Sequence, residues 1–252
     1  MNYKRKSKDY LYGGKRWKLS RSKIDLFLEC PRCFYLDNVL GVSRPKGYPF
    51  NLNSAVDALL KKEFDIHRAK GSKHPLMERY RVDAVPFEHE KMNEWRENFK
   101  GVTFQHPEHG FVISGAVDDI WVNSKGELIV VDYKSTSKDK KIESLDENWH
   151  EGYKRQMEVY QWLLRQNGFV VSDMGYFVYA NASKEEKAFD GKLIFDVTLI
   201  AYKGSDAWVE PTLRQIKQAL DDPRVPLPSK TCEYCDYRKN AGFALQSAQN
   251  KK

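Results

Sequence analysis

Four cysteines occur in the 252 residues, as two pairs of equal spacing near opposite ends of the chain, Cys30-Pro31-Arg32-Cys33 and Cys232-Glu233-Tyr234-Cys235. Two residues between thiolates let both sulfurs grip one ion from a single turn. Two such turns complete a tetrahedral Zn²⁺ site or the corners of an iron–sulfur cluster. A thioredoxin-like redox pair is disfavoured, because neither motif opens a helix after a strand, and disulfides are rare in reducing compartments. A shared metal site obliges the fold to bring the two ends together. It closes a loop of roughly 200 residues and so restrains the unfolded chain.

The segment between the pairs is long enough to bury a core without disulfides, since a chain of this size hides roughly 70–75% of its unfolded surface. Hydrophobic residues at 41% and charged residues at 31% fit a globular protein and exclude collagen-like and disordered classes. The apolar runs, such as Leu128-Ile129-Val130-Val131, fall far short of the ~20 residues of a membrane span. The first residues lack the apolar core of a secretory signal, so a cytoplasmic protein with no membrane partner is expected. The net charge of +7 is concentrated: residues 1 to 23 hold nine Lys/Arg against Asp9 alone, and the remainder is close to neutral. Interleaved with Tyr3, Tyr10, Tyr12 and Trp17, these cations suit a polyanion, whose condensed counterions are released as each phosphate is neutralised. Lys4, Arg5, Lys6, Lys15, Arg16 and Lys18 are the expected nucleic-acid contacts. The division expected is a basic flexible arm at 1–18, one domain at 19–240 closed by the cysteine site, and a polar tail at 241–252.

Helical spacing of apolar residues predicts a helix from Ser20 or Ser22 to about Cys30, and a second over Leu52 to Phe64. A third is expected around Lys91 to Phe99, a fourth over 152–166 ending at Asn167-Gly168, and a fifth over Pro211 to Leu220. Phe111 to Val122 and Glu127 to Tyr133 are β-rich runs joined by Asn123-Ser124-Lys125-Gly126, a hairpin. Met174 to Tyr179 and Leu193 to Ile200 read as further strands. This order of elements predicts an α/β fold with a central mixed β-sheet flanked by helices. His106-Pro107-Glu108-His109 has metal-ligating residues, but its proline and polar surroundings predict an exposed loop. Gly-rich phosphate loops, a Gly-x-Ser-x-Gly elbow and His-Glu-x-x-His are absent.

Acidic residues break the hairpin where apolar ones would be cheaper. Asp118 and Asp119 interrupt the first run, and Asp132 and Lys134 flank Tyr133 at the end of the second. Alternation puts Asp132 and Lys134 on one face with Tyr133 opposite. A carboxylate and an ammonium ending the apolar run Ile129-Val130-Val131 are costly to bury without a task, though a cross-strand salt bridge at a sheet edge is the plain alternative. If the turn sets the register, one of Asp118 and Asp119 faces Asp132. Two converging carboxylates make a hard oxygen site suited to Mg²⁺ or Mn²⁺, with the lysine placed to prepare a water.

Gly115-Ala116-Val117-Asp118, Asp132-Tyr133-Lys134 and Gln156-Met157-Glu158-Val159-Tyr160, in that order, resemble the PD-(D/E)XK nuclease superfamily, most closely its RecB-like branch. That branch includes the RecB and AddAB nuclease domains and the CRISPR-adaptation exonucleases. The likeness extends over about residues 19 to 238, from the Ser-rich opening before Cys30-Pro31 to the cysteines near Cys232. It implies a restriction-endonuclease-like core and divalent-metal-dependent DNA cleavage. It also implies Asp118 and Asp132 as metal ligands with the Tyr133 carbonyl, Lys134 as the catalytic lysine, and Gln156 and Tyr160 on one helical face supporting the site. Relatives carry an early Gly-x-x-x-His where this chain has Asn53-Ser54-Ala55-Val56-Asp57, so Asp57 is the expected substitute ligand, with His67 a rival. Relatives hold a [4Fe–4S] cluster with one N-terminal and three C-terminal cysteines; the two-and-two arrangement here also matches a structural zinc knuckle. The expected substrate is DNA, single-stranded or with single-stranded ends, in repair, recombination or defence. The alternatives are a catalytically weak nucleic-acid-binding module that keeps the fold, and an RNA-binding or structural role driven by the basic arm.

Overall fold

The computed structural model describes residues 5–45, 47, 51–140, 142–147 and 150–249. In chain order the elements are β1 (Leu19–Ser20), α1 (Arg21–Glu29), α2 (Pro31–Asn38), α3 (Asn51–Lys70), α4 (Pro75–Arg79), β2 (Val85–Pro86) and α5 (Met92–Trp95). They continue with β3 (Val102–Gln105), β4 (Val112–Gly115), β5 (Asp119–Val122), β6 (Leu128–Thr136), α6 (Glu151–Gln166), β7 (Met174–Ala182), β8 (Phe195–Lys203), α7 (Val209–Asp221) and α8 (Glu233–Gln249). No described helix is long and apolar enough to cross a membrane.

The chain forms two compact units: one of Met1–Gly47, Gln105–Ile113 and Glu210–Lys252, the other of Tyr48–Phe104 and Ser114–Val209. The second holds a five-stranded mixed sheet of order β2-β5-β6-β7-β8. The expected turn is built as predicted by its residues: Asn123 Oδ1 accepts from Lys125 N (3.0 Å) and Glu127 N (2.9 Å), and Gly126 takes φ +78°, which suits a residue without Cβ. It sets the antiparallel register Asp119↔Val131 through Val122↔Leu128. After β6 the chain crosses through α6 and returns parallel, with Asp132↔Phe177 and Lys134↔Tyr179, and β8 then pairs antiparallel with β7. A parallel return needs such a crossover helix. Alternation sends Ile129, Val131 and Tyr133 into a core with Leu60 and Phe64 of α3, Trp121 and Val178. Phe64 stacks on Trp121 at 5.4 Å. Opposite that face, Met157 of α6 packs so near Gly175 that an added Cβ would come within 2.4 Å of its sulfur.

In the first unit, Trp17, Leu19, Ile24, Phe27 and Phe34 are buried. The stretch expected to hang free is held there over its described part. Lys6 N donates to Gly41 O (3.2 Å) and Lys6 Nζ pairs with Asp37 (2.7 Å). Tyr12 N donates to Asn38 O (2.8 Å), and Trp17 Nε1 to Asn38 Oδ1 (3.0 Å). Lys4 lies outside the described residues, whereas Arg5, Lys15 and Arg16 are exposed and Lys18 is half-buried.

Three further expectations are corrected. The run Phe111 to Val122 is two strands, β4 and β5, broken at Ala116–Asp118. The helix expected over 91–99 is the single turn of α5. The tail expected from 241 is helical to Gln249. Pro31 starts α2 as its first residue, where its missing N–H costs nothing.

Candidate active site and four-cysteine centre

The break between β4 and β5 follows from two close approaches. Gly115 lies where a Cβ would meet the Tyr160 ring at 2.6 Å, so the glycine of Gly-x-x-Asp makes room for the tyrosine of Gln-x-x-x-Tyr. After it the chain leaves the ladder, and Asp118 turns its Oδ2 to accept the Tyr133 backbone N–H at 2.9 Å. The next residue points the other way. Asp119, fully buried, accepts from Arg96 Nη2 (2.8 Å), Ile120 N (2.8 Å) and Tyr133 Oη (2.7 Å), and from Arg68 Nη2. Asp118 is therefore the carboxylate of the pair that faces Asp132, and Asp119 anchors the strand from behind.

A cleft of about 440 Å³ is lined by Asn53, Asp57, Asp118, Tyr133, Lys134, Tyr153 and Gln156, among others. The N-terminal turns of α3 supply Asp57, the break just before β5 supplies Asp118, the end of β6 supplies Lys134, and α6 supplies Gln156. Asp132 is fully buried and is not part of that lining; it is ion-paired with Lys134, yet neither of its oxygens receives a hydrogen bond. The Lys134 ammonium sits 4.4 Å over the Tyr153 ring, a cation–π contact. Gln156 Nε2 donates to Tyr160 Oη at 3.2 Å, and Tyr160 is buried behind it. Asp57, Asp118, Lys134 and Gln156 thus share one cleft. His67 does not: it lies near the far end of α3 and contacts Ser72 at 3.2 Å.

Burial pushes the Asp132 carboxyl up, and the like charge of Asp118 adds to it against the pull of Lys134. Asp57 is also raised, by burial and then by Asp118, with Lys61 opposing. Carboxylates that raise one another form a site short of positive charge, which a hard divalent cation satisfies. The residues present therefore fit Mg²⁺ or Mn²⁺. Lys61 was missed from the sequence. One helical turn after Asp57, its Nζ lies 2.9 Å from Asp57 and 3.6 Å from Asp118; the i, i+4 spacing was the available signal. Arg68 and Arg96 carried no such signal, since their partner Asp119 lies 51 and 23 residues away.

The four cysteines meet within the first unit. All are buried, and one sulfur from each lies within 4.8 Å of the others, with Cys33 3.6 Å from Cys232 and 3.7 Å from Cys235. Burial works against ionisation at Cys30, Cys33 and Cys235. Hydrogen bonds from backbone and neighbouring thiols nevertheless draw Cys30 down to about 7, whereas burial and those same thiols push Cys235 up to about 12. Four thiolates this close need a cation among them. Arg44 Nη2 lies 3.7 Å from Cys232 Sγ.

The family model of the PD-(D/E)XK nuclease superfamily matches residues 18–239. The chain belongs to that superfamily. Its mixed sheet flanked by helices is the restriction-endonuclease-like core of PD-(D/E)XK enzymes, which are typically nucleases using divalent metals. Among solved structures, the crystal structure of SSO0001 is similar at 15% identity and TM-score 0.39, over 83% of this chain and 79% of that one. No protein of curated function matches.

Proposed function

We propose that this PD-(D/E)XK protein is a divalent-metal-dependent deoxyribonuclease of the RecB-like kind, acting in the cytoplasm in DNA repair, recombination or defence. The observation that carries the reading is the cleft in which Asp57, Asp118 and Lys134 open onto the same space, with Lys134 ion-paired to buried Asp132. Asp118, Asp132 and Asp57, with the Tyr133 carbonyl, are assigned to the metal. The ion, when bound, neutralises the scissile phosphate and lowers the pKa of a water. Lys134 orients that water and stabilises charge developing on the phosphate. Tyr153 beneath the Lys134 ammonium and Asp132 beside it fix where that charge sits. Gln156, steadied by Tyr160, contacts the strand. Arg5, Lys15, Arg16 and Lys18, with Lys4 and Lys6, supply the phosphate contacts of the basic segment.

Single-stranded DNA, or duplex with single-stranded ends, is the proposed substrate. Full-length protein is expected to cleave it with Mg²⁺ or Mn²⁺ and to stop when EDTA is added. Binding without cleavage under either ion would replace this reading with that of a nucleic-acid-binding module.

For the four-cysteine centre we propose a [4Fe–4S] cluster, as the RecB-like resemblance implies, with structural Zn²⁺ as the alternative; the two-and-two pairs supply the four thiolates that either takes. Anaerobically purified protein should be brown, with a broad visible absorption that bleaches on reduction, and should contain iron and sulfide. A colourless protein with one zinc per chain decides for the knuckle.

A further inference from the structure

The segment His106-Pro107-Glu108-His109, expected as an exposed loop, is built into the first unit. His106 is 4% exposed and His109 is half-buried. The turn folds on itself: the backbone N–H groups of Glu108 and His109 donate to His106 Nδ1 at 3.2 and 3.3 Å, and Gly110 closes it at φ +69°. That closure stacks the two imidazoles at 4.1 Å with 15° between their planes. Glu210, in the first turn of α7, brings Oε2 to 3.1 Å from His106 Nε2. One ligand atom from each of the three side chains lies within 4.8 Å of the other two.

A hydrogen bond from His106 to Glu210 explains two of these groups but leaves His109. Its Nε2 is shut off from solvent and has no hydrogen-bond partner, an omission that costs about 1–3 kcal/mol. Burial, then the neighbouring His106, holds the His109 imidazole below its usual value. Lys217, the nearby cation, is tied to Asp221 on its own helix.

We propose that His106, His109 and Glu210 form a separate metal site for a borderline transition ion of the Zn²⁺ class. Two imidazoles and one carboxylate are the donor set such an ion takes, with water as fourth ligand, whereas Mg²⁺ demands oxygen. Loading requires His106 to give up its Nε2 proton and to carry one on Nδ1 instead, at the cost of two long contacts to the turn, and requires the stacked rings to rotate. The ion ties the turn at 106–110 to the start of α7, independently of the cysteine centre and of the nuclease cleft.

The test is equilibrium dialysis of the full chain, its cysteine centre loaded, against Zn²⁺ and then Co²⁺, with metal per chain measured after desalting. Wild type should retain one equivalent more than His109→Asn or Glu210→Gln, and its Co²⁺ form should show visible d–d bands beyond any thiolate charge transfer. Asp118→Asn should leave that equivalent in place. Glu210→Gln, at a partly exposed position, carries the measurement if His109→Asn misfolds by circular dichroism. Equal stoichiometry in wild type and Glu210→Gln, or loss of the same equivalent in Asp118→Asn, overturns the assignment.

Discussion

Lys134→Ala lowers metal-supported DNA cleavage by about 10²–10⁴-fold, the usual contribution of a positioned proton-transfer or charge-stabilising group, while the protein stays folded and still binds DNA. The side chain is only 14% exposed and pairs with Asp132, which is fully buried. Removing one partner of a buried pair ordinarily strands the other charge at a cost of about 3–5 kcal/mol. Here that cost is moderated, because burial and Asp118 already hold the Asp132 carboxyl up and the acid can take a proton instead. With a divalent ion present, the cation replaces the ammonium as counter-charge. Lys134→Arg separates charge from geometry: it keeps the cation, but a planar guanidinium is a different donor from a compact ammonium, so cleavage should recover little. Measured as initial rates at saturating Mn²⁺ with affinity followed in parallel, equal rates for wild type and Lys134→Ala would remove this lysine from the chemistry.

Where one periodicity dominates, the sequence was legible. α6 was expected over 152–166 and runs Glu151–Gln166, and the hairpin turn and the strands after it fall close to their expected places. Its apolar positions suffice because tertiary packing and local preference agree there. α3 was expected to stop at Phe64 but continues to Lys70, since Arg68 has a buried partner to reach. α8 was missed because it buries little beyond Cys235, so no apolar stripe announces it.

At the cleft, motif order brought out Asp118, Asp132, Lys134 and Gln156, but spacing alone could not choose between Asp118 and Asp119. The choice depends on where the strand breaks, which the contact of Gly115 with Tyr160 decides. His106 was misjudged for a related reason. Proline and charge mark a turn, but whether a turn is exposed depends on Glu210, 104 residues away.

Arg68→Met is expected to be the most destabilising single change in the second unit, by about 3–5 kcal/mol, because it leaves a buried carboxylate short of a partner. Arg68 is 6% exposed along its side chain and Asp119 not at all. The guanidinium also donates to Asp65 at 3.0 Å and to the Phe87 carbonyl, so its loss leaves more than one acceptor unsatisfied. Arg96 remains, donating to Asp119 at 2.8 Å, to Asp65 at 2.8 and 2.9 Å, and through Nε to the Asp118 carbonyl at 3.0 Å. One cation is then left to offset two carboxylates. The fall should appear as a loss of roughly 6–20 °C in Tm, taking 2–4 °C per kcal/mol for a unit of this size. Combining Arg68→Met with Asp119→Leu should restore part of it, since a buried pair replaced as a whole by apolar groups costs far less than a pair broken in half. Because Asp119 opens β5 directly after Asp118, Arg68→Met should also weaken Mn²⁺ affinity at temperatures where the protein is still folded. A Tm within about 2 °C of wild type would show that Arg96 alone neutralises Asp119, and would reduce Arg68 from an anchor of the metal-facing strand to a packing contact.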